Sequence, residues 1–116
     1  MWRGQVTNSA EAFLKSLKRE KDPGAKFDML LGFTMALQDH DTWLHDHECG
    51  WGSEFGGAKW LKQLATEWKG TMKQDNATLG IEDRTRAGAT HILATFKEAV
   101  EEMDIAEEEG ITFTWQ

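Results

Sequence analysis

Apolar residues recur with helical period in four places along the chain. Over 9–21, Ala10, Phe13, Leu14 and Leu17 fall at i, i+3, i+4 and i+7, and Lys15, Lys18 and Arg19 take the other face. The spacing predicts an amphipathic helix, with Asn8 and Glu11 as a capping-box-like start. Asp22-Pro23 reads as the end of that helix and the start of the next, since Asp caps well and Pro suits the first helical position. From Pro23 to about His47, the residues Met29, Leu30, Phe33, Ala36, Leu37, His40, Trp43, Leu44 and His47 share one broad face. Glycines at 50, 52, 56 and 57 then break the pattern.

A third helix is expected over 57–73, with Trp60, Leu61, Leu64, Trp68, Thr71 and Met72 as its stripe and lysines opposite. Residues 74–80 have turn composition. A fourth helix is expected over 81–108, packing through Ala89, Ile92, Leu93, Phe96, Ala99, Val100 and Met103 and stopped by Gly110. Ile111 to Trp115 alternates with period two and predicts a short strand, and Trp2 and Val6 alternate in the same way before the first helix. The expected fold is therefore mainly all-α: a single domain over 1–116 built as a four-helix up-down bundle, with short terminal β-strands.

Composition narrows the class. The chain has 116 residues, one Cys and a net charge of −7, which fits one domain without a disulfide framework or a Cys-rich zinc site. The longest apolar run, Met29 to Phe33, is too short to span a bilayer, and the first residues lack the apolar region of a secretory signal. These features predict a cytoplasmic protein without a membrane partner. Acidity argues against direct nucleic-acid binding. Counted over 9–21, 23–48, 57–73 and 81–109, the four predicted helices carry +2, −4, +3 and −6. In an up-down bundle this alternation would set opposite charges side by side.

Candidate chemistry concentrates between 40 and 57. His40, Asp41, His45, His47, Glu48 and Cys49 supply imidazole, carboxylate and thiolate, the ligand types of divalent transition metals. On one helix, Asp41, His45 and Glu48 share a polar flank, while His40 and His47 lie on another line about 10 Å apart along the axis. One ion cannot collect all five, and the expected cofactor is none. Cys49 has neighbouring histidines but no nameable oxyanion donors. The segment 52–59 lacks the Gly-Lys-Ser/Thr step of a phosphate-binding loop. Seven carboxylates between Glu98 and Glu109 read as a solvated face.

The glycine-flanked loop holds Trp51, Glu54 and Phe55, two aromatic anchors and a charge of the kind that partner-binding loops use. The expected function is a non-enzymatic protein-interaction or regulatory module, binding a protein partner or itself as a homodimer. Two rival expectations are a metal-binding helical protein using the His40 to Cys49 segment and an acidic inhibitor of a nucleic-acid enzyme.

Overall fold

A computed structural model describes residues 3–38 and 59–102, with side chains described at 10–37 and 60–98. Among the described residues all regular structure is helical. In chain order it comprises α1 (Arg3–Arg19), α2 (Pro23–Gln38), α3 (Lys59–Met72), the single turn α4 (Asn76–Leu79) and α5 (Asp83–Glu102).

Helix α1 starts earlier than expected. Asn8, expected as its cap, lies inside it, and the strand expected around Val6 is helix. Val6 stands four residues before Ala10, so the helical period of the Ala10, Leu14, Leu17 stripe runs one turn further back than the alternation suggested. The strand expected at 111–115 lies outside the described residues.

The α1–α2 joint follows the expected chemistry. The Glu20 N–H closes the last turn of α1 onto the Ser16 and Leu17 carbonyls. Asp22 caps α2: its carboxylate accepts from the Ala25 N–H at 2.9 Å, and its carbonyl accepts from the Lys26 N–H at 3.0 Å. Pro23 occupies the first helical position, where its missing N–H costs nothing.

Helix α2 is apolar around nearly its whole circumference, and the packing explains why. Among the described residues, α1 and α3 pack on each other and on α2, while α4 and α5 also pack chiefly on α2. A helix surrounded on several sides has no single solvent face to mark with charge. Toward α1, the Phe33 ring stacks on Phe13 with centroids 4.2 Å apart and planes within 4°. Toward α3, Phe27 meets Trp68 edge to face at 6.0 Å. The fully buried positions are Phe27, Leu30 and Thr34, with Leu37 nearly so. This stripe is rotated by about 90° from the expected centre near Phe33 and Ala36, taking 100° per residue. Ala36 is exposed, and so is Met35.

The other stripes match their periods. Leu14 and Leu17 are buried on α1; Trp60, Leu61, Leu64, Trp68 and Thr71 on α3; Ala89, Leu93 and Phe96 on α5. Between α3 and α5 the turn composition resolves into the one-turn α4. Asp75 caps it by accepting from the Thr78 N–H at 2.8 Å, and Gly80 ends it with φ +68°, a left-handed conformation that glycine adopts without strain.

Helix α2 touches α4 closely at Gly24, where an added Cβ would lie 2.8 Å from the Leu79 carbonyl oxygen. Gly-to-Ala changes inside helices ordinarily stabilise by about 0.5–1 kcal/mol. At Gly24 the sign is expected to reverse, with Gly24→Ala costing about 1–2 kcal/mol because rigid backbone must move. Gly32 has nothing within 4 Å, and there Gly32→Ala is expected to raise stability. Urea denaturation of the two variants side by side checks both signs.

Candidate functional site

A groove of about 410 Å³ is lined by Leu14 and Lys18 of α1 and by Lys62, Gln63, Thr66 and Glu67 of α3. Leu14 belongs to the core stripe and gives the groove an apolar floor. Lys18, Lys62, Gln63 and Thr66 are exposed, and Glu67 is half-buried. The Thr66 hydroxyl donates to the Lys62 carbonyl at 2.9 Å, so it is turned onto its own helix. The volume is in the range of small-molecule pockets, but those enclose most of their ligand. This groove is walled by solvated side chains, which suits part of another protein's surface better than an enclosed ligand.

Its electrostatics depart from the sequence expectation. Alternating helix charges would set opposite signs side by side; in addition to the contacts each makes with α2, the two basic helices pack on each other. Helix α1 carries Arg3, Lys15, Lys18 and Arg19 against Glu11, and α3 carries Lys59, Lys62 and Lys69 against Glu67. These two helices hold net charges of +3 and +2 in a protein of net −7. Like charges on adjacent surfaces repel, and water and salt screen the repulsion only in part.

A second polar constellation joins α3, α4 and α5. Arg86 of α5 is half-buried. Its guanidinium donates to the Met72 carbonyl at 3.1 Å, to the Gln74 carbonyl, and through Nε to Asn76 Oδ1 at 2.6 Å. The Asn76 amide in turn donates to Asp83. A cation on the last carbonyls of α3 satisfies acceptors that have no partner within the helix. Beside it, the Asp75 carboxyl is held below the ordinary aspartate value, first by hydrogen bonding to the Thr78 side chain, then by the Thr78 N–H, with a smaller contribution from Arg86. Each of the three Arg86 nitrogens donates to a local backbone or side-chain acceptor, so the constellation acts as a structural clamp.

No family model, curated protein or solved structure matches this chain.

The proposed metal ligands His40, Asp41, His45, His47 and Glu48 lie outside the described residues, as do Cys49 and the loop residues Trp51, Glu54 and Phe55. Among the described residues, no group of three His, Cys, Asp or Glu side chains converges as a metal site. None of the described helices is long and apolar enough to cross a membrane. His91 is exposed on α5. The groove itself escaped sequence reasoning. Its signal was present in the lysines of the first and third apolar-periodic segments, but only the packing of α1 on α3 turns two separate charged faces into one.

Proposed function

We propose that the protein is a non-enzymatic interaction module whose working surface is the basic groove between α1 and α3, and that its partner presents an acidic protein surface. One observation carries the proposal: two like-charged helices pack against each other and leave Lys18 and Lys62 exposed over the apolar Leu14. An acidic partner converts the repulsion between these helices into attraction, and charge complementarity of this kind sets partner choice and association rate. The glycine-flanked Trp51, Glu54 and Phe55 are proposed as a second contact region. A cytoplasmic setting, an up-down order of the long helices and a strand at 111–115 belong to the same proposal.

The test uses isotope-labelled full-length protein and a synthetic amphipathic helical peptide of Leu, Ala and Glu. Saturable shifts are expected at the amides of Leu14, Lys18, Lys62 and Thr66, weakening as salt is added. The Lys18→Glu/Lys62→Glu variant is expected to bind at least about tenfold more weakly, a difference of roughly 1.4 kcal/mol. Absence of shifts at the groove, or equal binding by the variant, overturns the proposal.

A further inference from the structure

Resting on that assignment of the groove, we infer that its acidic occupant is helix α5 of a second copy of this chain. The complementary charge is already encoded at matching intervals. Lys15, Lys18 and Arg19 stand at i, i+3 and i+4 on α1; Glu98, Glu101 and Glu102 stand at i, i+3 and i+4 on α5. Two helices laid side by side with equal rise bring such rows into register, each step of three residues covering about 4.5 Å.

Lys15, Lys18 and Arg19 are all exposed, and so is Glu98. One turn before Glu98, Ala94 and Thr95 are exposed and small, which keeps this face of α5 low enough for another helix to approach. Within one molecule, α5 packs chiefly on α2, whereas the groove is formed by α1 and α3. Exposed Glu98 on α5 and the basic residues of α1 therefore belong to different helices of the same molecule, and a second copy brings the two together. Each copy carries both halves of the contact, so two copies can pair reciprocally and close as a dimer.

Sedimentation velocity of the full chain at low ionic strength tests the pairing. The wild-type protein is expected to sediment at twice 13.2 kDa and to dissociate as salt is added. Lys18→Glu/Lys62→Glu turns the groove lining acidic like the row on α5, and Glu98→Lys/Glu102→Lys turns the α5 row net basic like the groove, so each variant alone is expected to be a monomer. Mixed in equal amounts, the two variants present opposite rows to each other, and the dimer is expected to return. That return also shows that both variants fold, and Glu98→Gln/Glu102→Gln, which removes charge without reversing it, is expected to weaken the dimer at least about tenfold.

A dimer that survives either reversal, or a mixture that stays monomeric while both variants keep wild-type circular dichroism, overturns the inference. A wild-type monomer that still binds the acidic peptide through Lys18 and Lys62 overturns the self-pairing alone. A monomer that binds no acidic peptide overturns the interaction module as well.

Discussion

Trp68→Ala is expected to cost about 3–5 kcal/mol in urea denaturation, the range for removing a large aromatic from a packed core. Trp68 is completely buried and ties α3 to α2 through two separate contacts. Its stripe joins α3 to the core, its ring takes Phe27 of α2 edge to face, and its indole N–H donates to the Thr34 hydroxyl at 2.9 Å. Domains of this size are stable by only about 5–15 kcal/mol, so the variant is expected to be partly unfolded at moderate temperature. The hydrogen bond separates from the ring by a cycle. Thr34→Val strands a buried indole N–H and is expected to cost about 1–3 kcal/mol. Trp68→Phe combined with Thr34→Val removes both partners and should cost less than the sum of the single changes. Strict additivity would show that the bond contributes nothing, and a loss below about 1 kcal/mol for Trp68→Ala would remove Trp68 from the centre of the core.

The same pair shows where sequence patterning succeeds and where it stops. Helices α1, α3 and α5 each have one apolar stripe and one charged face, so period alone identifies Leu14, Leu17, Leu64, Trp68, Leu93 and Phe96 as core. Helix α2 gives no such contrast. With Met29, Leu30, Leu31, Phe33, Met35 and Leu37 spread around it, several orientations have nearly equal apolar content. What selects the observed one is polar: Thr34 must face Trp68 to accept its N–H, and Gly24 must face α4 because only glycine admits the Leu79 carbonyl. Both are tertiary relations, invisible to a count of hydrophobic positions. The early start of α1 is a different error. Two alternating residues mimic a strand when the helical period on their far side has not been extended backward.

The groove was illegible for a related reason. Charge along the chain alternates by helix, and an up-down order sets neighbours in sequence side by side. Helix α2 packs on both α1 and α3, yet these two also meet directly, so two helices of the same sign touch. Helix charge can be counted from sequence, but whether two helices reinforce or cancel depends on which of them touch. The histidine-rich segment, by contrast, was conspicuous in sequence because ligand-type residues are countable without any fold.

Arg86→Met is expected to destabilise the protein by about 3 kcal/mol, more than any exposed charge change. Hydrogen bonds to a charged donor contribute about 1.5–3 kcal/mol each and do not add fully. Arg86 makes three, to the Met72 and Gln74 carbonyls and to Asn76 Oδ1. Methionine keeps much of the aliphatic stem, so the loss reports the guanidinium rather than packing. Arg86→Lys is expected to recover only part of it, because one ammonium cannot match three acceptors in a fixed planar fork. The clamp ties the end of α3 to the start of α5, so hydrogen exchange is expected to quicken first at 72–86, ahead of the centre of α2. Acid should loosen the same region. The folded Asp75 carboxyl titrates below its unfolded value, so its cap is fully present above the ordinary aspartate range and is lost as pH falls through the lower folded value. If Arg86→Met left stability within about 0.5 kcal/mol of wild type, as ordinary surface substitutions do, the three bonds would be replaceable by water. The joint between α3 and α5 would then rest on Leu79 and the Asp75 and Gly80 caps alone.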